Sequence, residues 1–264
     1  MAIEKIDYKK FNMLNNNKDL TKNKFLGNKL EILQFSDGYR GNMDSVLLAA
    51  SVAAASGQKV LELGSGNGVA LCCLLFRVSG LEVFGIEIDK RAAELCRRNI
   101  ISNKFKATIF NSNITDNIRE LKSKSFDHVF MNPPYFKKTS VKKSPIPSSS
   151  QAKVESVALS EWFSVAKEKC KPKGKVTLIQ RADRLPDIIK CLNGYFGQVT
   201  VLPISSFKDT SPKTVIVQAT KNSSAAFKLL APKIVHRRDG ISGRVLYEDE
   251  FEKILRYGYP LPLN

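Results

Sequence analysis

The sequence predicts an α/β protein: a mostly parallel β-sheet with helices on both faces. Three observations predict it. From residue 59 onward, short apolar strands alternate with helical stretches. Gly64, Gly66 and Gly68 crowd the first strand-to-helix turn, as in doubly wound folds that hold a ligand at a helix N-terminus. Finally, "QVTVLPI" and "TVIVQATK" follow one another with no long helix between them, so the last pairing is antiparallel.

The elements follow in order. "KVLELG" is a short apolar strand and "GVALCCLLFRVS" the helix after it. "EVFGIEID" is the second strand, and "KRAAELCRRNIISN" the second helix, with apolar positions at 92, 95, 96 and 100. "KATIFN" reads as the third strand, and "SFDHVFMNPPY" contains the fourth. "VALSEWFSVAKEKCKPKG" reads as a helix stopped by Pro172 and Gly174, before the fifth strand "KVTLIQR". A helix near 184–192 precedes the two final strands, and the tail ends in the amphipathic piece "EDEFEKILRYG". Residues 1–30 are expected as a basic, partly flexible extension, and 31–264 as one domain containing a mobile Pro/Ser/Lys loop at 137–153.

Composition narrows the function classes. The 264 residues include no run near the ~18 apolar residues of a membrane span, and "MAIEKIDYKKFNMLNNNKDLTKNK" lacks the apolar core of a secretory signal. A cytoplasmic protein with no membrane role is expected. Five cysteines without a C-x-x-C pair, and two histidines far from them in sequence, give no zinc pattern, so no metal is expected. Cys72, Cys73 and Cys96 fall in helices, where buried reduced thiols are usual. The net charge of +17 suits a polyanionic partner. Lys137, Lys138, Lys142 and Lys143 sit in a stretch with no acid and are candidate phosphate contacts.

The glycine turn reads G-x-G-x-G. A dinucleotide site would place its third glycine where this chain has Val69. Glu87 ends the second strand, where a carboxylate can take a ribose diol, with Ile88 beside it. Glu62 precedes the loop and would face the cationic end of a ligand. The combination suits a nucleoside without a pyrophosphate, such as S-adenosylmethionine, with S-adenosylhomocysteine as product; a glycine turn without a ligand is the plain alternative.

"NPPY", residues 132–135, ends the fourth strand, and its chance occurrence in this length is about one in a thousand. An exocyclic amine is a poor nucleophile because its lone pair is conjugated with the ring. The Asn132 side-chain oxygen and the Pro133 carbonyl can accept its two hydrogens and free that pair. Pro133 and Pro134 fix φ near −65° and stiffen the carbonyl, and Tyr135 offers a face for an extruded base. The same geometry suits any planar amine, so a protein glutamine, a DNA adenine or a small molecule stays open as acceptor, as does a non-catalytic RNA-binding module.

The glycine loop and NPPY together resemble Rossmann-fold amino-methyltransferases with an (N/D)PP(Y/F) motif. "FLGNKLEILQFSDGYRGNMDSVLLAASV" (25–52), and the tail from "KLLAPKIVHRRDG" through "ILRYG", resemble bacterial tRNA (adenine-N6)-methyltransferases, which modify the adenine 3′ of the anticodon in a valine tRNA. The resemblance implies a seven-stranded class I methyltransferase sheet with the last strand antiparallel, S-adenosylmethionine as donor and an RNA adenine, in tRNA, as acceptor. It also implies donor contacts from Tyr39, Arg40 and Asp44, although Asp44 could equally be a helix N-cap. Where the family often has an acid facing the donor's adenine amine, this chain reads "FNSNIT", and Asn113 stands in through its amide oxygen.

Overall fold

The computed structural model describes residues 19–37, 40–134, 157–240 and 242–263. Its central sheet has seven long strands: β3 (Lys59–Leu63), β4 (Glu82–Glu87), β5 (Thr108–Asn111), β6 (Phe126–Met131), β7 (Cys170–Arg181), β8 (Phe196–Ser205) and β9 (Thr214–Lys221). They lie in the order β5-β4-β3-β6-β7-β9-β8. All neighbours are parallel except β9, which is antiparallel to both β7 and β8, as expected. Two short strands, β10 (Lys228–Leu229) and β11 (Lys233–Ile234), extend the outer edge of β8. β12 (His236–Arg238) and β13 (Val245–Tyr247) form a separate hairpin.

Because side chains alternate along each strand, the sheet feeds two cores. One face packs under α1 (Met43–Ser51), α2 (Val69–Arg77), α3 (Lys90–Ser102) and α6 (Asp249–Tyr257) around Val60, Phe130, Ile179 and Ile216. The other packs under α4 (Leu159–Lys169) and α5 (Leu185–Leu192) around Leu61, Val129, Leu178 and Val217. Helix starts follow local chemistry: the Asp89 carboxylate accepts from Arg91 N and Ala92 N at the head of α3, and Asn42 does the same for Asp44 N at α1.

Two features depart from the expectation. The boundary expected after residue 30 falls inside a hairpin formed by β1 (Leu20–Phe25) and β2 (Leu30–Phe35). Leu26 and Leu30 are buried in the core, and that burial ties residues 20–30 to the domain. The helix expected to run to Pro172 ends at Lys169. Lys171 precedes a proline, which disfavours helical backbone there. The chain pairs from Cys170 onward in β7, across a register shift opposite Phe126 and His128. The Lys221 ammonium donates to Lys167 O and Cys170 O, satisfying carbonyls at the helix end. The expected loop 137–153 and residues 1–18 lie outside the described residues.

Candidate active site

The strand order reverses between β3 and β6, and open α/β sheets bind ligands beyond the carboxyl ends of strands at such a switch point. Leu63 pairs with Ile86 on one side and Met131 on the other. Glu87, Gly64 and Asn132 are therefore the next residues in three adjacent strands, spanning about 10 Å across the sheet edge.

Gly64, Gly66 and Gly68 all have positive φ, +69°, +53° and +83°, which glycine adopts at little cost. A Cβ on Gly64 would stand 2.7 Å from Trp162 Cη2, and one on Gly68 2.6 Å from Cys96 Sγ. Glu87 braces the loop: its Oε2 accepts from Gly66 N at 2.7 Å and its Oε1 from Asp89 N at 2.9 Å. A carboxylate has about four acceptor sites, so it retains capacity for a diol. Ile88 beside it is 57% exposed, an apolar face open beyond the strand end.

Glu62 is buried and its Oε2 has no hydrogen-bond partner. Burial first, and the Glu87 charge second, raise its carboxyl well above the ordinary range. Burial likewise raises Glu87. The indole Nε1 of Trp162, against Gly64, is also buried without a partner. The unpartnered Glu62 oxygen next to the glycine loop is a candidate contact for a polar ligand. The thiols nearby are not nucleophiles: burial pushes Cys73 up to about 12 and raises Cys72 and Cys96 as well.

At the end of β6, Asn132 is half-buried with its Oδ1 inside the protein. The following carbonyls are held from the neighbouring strand. Gln180, fully buried in β7, donates from Nε2 to Pro133 O at 3.1 Å and Pro134 O at 3.4 Å, while its Oε1 accepts from Arg181 N. Pro133 O keeps a second lone pair for another donor. Tyr135, Tyr39, Lys137, Lys138, Lys142 and Lys143 lie outside the described residues.

Two expected ligand contacts, Arg40 and Asn113, have partners within the protein, and a third, Asp44, sits at a helix start. The Arg40 guanidinium binds the β1–β2 hairpin, donating to Thr21 Oγ1, Phe35 O and Asn23 Oδ1. Asp44 lies in the first turn of α1, and the N-cap is Asn42. Asn113 Oδ1 accepts from Thr115 N and Thr115 Oγ1 within its own turn, and the acid of that turn is Asp116. The sequence reading also missed residues that support the loop. Asn67 Nδ2 donates to Gln34 Oε1, and Asn99 bridges Asn67 O to both the N–H and the carbonyl of Leu33. A buried asparagine in an amphipathic helix was the available signal for Asn99; Gln180 and Trp162 left no signal separable from ordinary strand and helix composition.

The fold is that of class I Rossmann-fold methyltransferases. The chain belongs to the methyltransferase small domain family, whose profile it matches over residues 40–207. It is 32% identical over 169 residues to the tRNA1(Val) (adenine(37)-N6)-methyltransferase of Porphyromonas gingivalis, covering 61% of this chain and 66% of that relative's length. The enzyme of the same name from Shewanella baltica is 33% identical over 96 residues, 35% of this chain and 40% of the relative. Among solved structures, a predicted O-methyltransferase from Agrobacterium tumefaciens superposes with a TM-score of 0.68 at 22% identity, covering 84% of this chain and 99% of that one.

Proposed function

We propose that this chain is a cytoplasmic S-adenosylmethionine-dependent N-methyltransferase acting on the exocyclic N6 of an adenine in RNA, with tRNA as the RNA. The observation that carries the reading is the alignment of Asn132 and Pro133 beside Gly64, across the switch point from Glu87. The relatives' names supply the substrate class, and the orphan Oε2 of Glu62 supports a cationic donor.

When bound, S-adenosylmethionine would supply an electrophilic methyl group and leave as S-adenosylhomocysteine. Glu87 would hold its ribose, Glu62 would face its cationic end, and Ile88 would pack on its adenine. Asn132 Oδ1 and Pro133 O would accept the two hydrogens of the target amine and orient its lone pair toward the methyl carbon. Gln180 keeps the Pro133 carbonyl in place before the amine arrives, so little reorganisation is needed in the transition state. The proton becomes acidic only once the N–C bond has formed, so no strong base is required.

The test is transfer of tritiated methyl groups to tRNA, with nucleoside mass spectrometry identifying the product. Asn132→Ala should abolish transfer while calorimetric binding of S-adenosylhomocysteine persists. N6-methyladenine absent from the RNA, with label in protein or DNA instead, would overturn the RNA assignment; donor binding lost with activity would make Asn132 structural.

A further inference from the structure

A second polar site lies on the opposite edge of the sheet. On the face that carries the apolar row Ile179, Ile216 and Leu202, the strands turn polar toward the amino ends of β6 and β7. By register and alternation, His128, Lys175, Thr177, Gln218, Thr220 and Thr200 share that face across β6, β7, β9 and β8. A sheet face covered by helices is ordinarily apolar, and burying polar groups there costs free energy unless they are partnered. Much of this patch is partnered. Gln218 Nε2 donates to Thr177 Oγ1 and Ser51 O, Thr177 Oγ1 meets His128 Nε2 at 2.8 Å, and Thr220 Oγ1 donates to Gln198 Oε1. Burial, with Lys175 and Arg77 nearby, pushes His128 down to about 3, which favours the neutral imidazole.

A cavity of about 290 Å³ opens above this floor. Buried Ser51, Thr200 and Gln218 line it from below, and Val52, Leu261 and Leu263 from the side. Its cations are Arg77, Lys175 and Lys228, and no carboxylate lines it among the described residues. Arg77 spends Nη2 on Ala49 O and Val52 O, closing the last turn of α1, while its buried Nε has no partner. Three cations around one concavity, with no carboxylate among its described lining residues, favour an anion there more strongly than in open water. From Lys175 to the carboxyl end of β7 is about 20 Å, so this cavity is separate from the switch-point site.

We propose that this cavity is a binding site for a small phosphorylated ligand, no larger than a sugar phosphate or mononucleotide. The cations answer the phosphate charge, the Gln198, Thr200 and Gln218 side chains supply neutral hydrogen bonds, and the Val52–Leu261–Leu263 wall accepts an apolar part. The volume sits at the small end of ligand pockets. Binding here does not depend on methyl transfer at the other edge.

The test is isothermal titration of the full chain with inorganic pyrophosphate and with ribose 5-phosphate, at constant ionic strength; neither carries the adenine that a donor pocket would select. Saturable one-to-one binding of at least one probe is expected, weakened about tenfold or more in Lys175→Ala/Lys228→Ala. Arg77 is left intact because it closes α1. A thermal-melt comparison without ligand, and titration with S-adenosylhomocysteine, show whether the double variant remains folded with its other site unchanged. No saturable heat at millimolar probe, or identical isotherms for wild type and the folded variant, would overturn the proposal.

Discussion

Both ends of the Gln180 amide are committed, its oxygen to Arg181 N and its nitrogen to the carbonyls of Pro133 and Pro134. Methionine has similar length but no donor, so Gln180→Met should leave Pro133 O held by proline stiffness alone. The expected result is a kcat lowered about tenfold, equivalent to one net hydrogen bond of ~1.4 kcal/mol, with KM for RNA and donor affinity unchanged. An unaltered kcat would show that the prolines suffice. Glu62 makes a second residue-scale prediction. Burial and the Glu87 charge favour its protonated form in the ligand-free protein, whereas a cationic donor favours the carboxylate. Binding therefore expels a proton, and donor affinity should rise with pH through the raised Glu62 pKa and level off above it. Glu62→Gln should flatten that rise in calorimetric titrations, and a slope equal to wild type would clear Glu62 of the role. The folded-state pKa lies above the unfolded one, so the same residue's contribution to stability is lost as pH rises through it. The strand-end positions of Asn132 and Glu87 were legible in the sequence because a repeating β-α-β pattern fixes where those strands stop. Gln180 and Trp162 were not, because their roles arise only when β7 lies beside β6 and α4 crosses the glycine loop.

At the scale of elements, one buried side chain joins the N-terminal hairpin to the glycine loop. Asn99 of α3 accepts from Leu33 N and donates to Leu33 O and Asn67 O, while Asn67 continues through Gln34 and Asn23 to Arg40. Removing such a side chain leaves buried backbone groups unpaired, which costs more than the net value of the bonds themselves. Asn99→Ala should therefore destabilise the fold by about 2–3 kcal/mol in urea titrations. It should also speed amide exchange at Leu33 before the core strands are affected. Exchange at Leu33 equal to wild type would mean that the hairpin is held to the domain without Asn99. The alternation of strands and helices from residue 59 onward was legible because parallel strands covered on both faces read as short apolar runs. The β1–β2 hairpin was not, since "LTKNKF" alternates lysine and asparagine with few apolar residues and pairs only with its neighbour. The early end of α4 escaped for a related reason: a lysine-rich run has no period, and the strand there is set by pairing with β6.

At the scale of the whole molecule, a net charge of +17 makes salt the variable that separates acceptor classes. Each phosphate neutralised on binding releases condensed counterions, so log K falls against log salt with a slope of about −0.7 per phosphate for single strands and −0.9 for duplex. A tRNA acceptor gripped through several phosphates should show a slope of several units, whereas a protein glutamine or a small amine should show almost none. The sequence locates part of that charge. Lys137, Lys138, Lys142 and Lys143 begin two residues after NPPY, and a target adenine held by Asn132 brings its flanking phosphates to the same edge of the sheet. Replacing all four by serine should weaken tRNA binding and reduce the salt slope by up to about 3 units, a little under one for each phosphate left without its lysine. S-adenosylhomocysteine affinity should not change, because Glu62, Glu87 and the glycine loop are untouched. If the slope falls and donor affinity holds, the phosphate-binding lysines belong to that segment. If the slope stays at its wild-type value, the phosphates are gripped elsewhere on the basic surface, with the β12–β13 hairpin and its Arg238 and Arg244 as the next segment to neutralise.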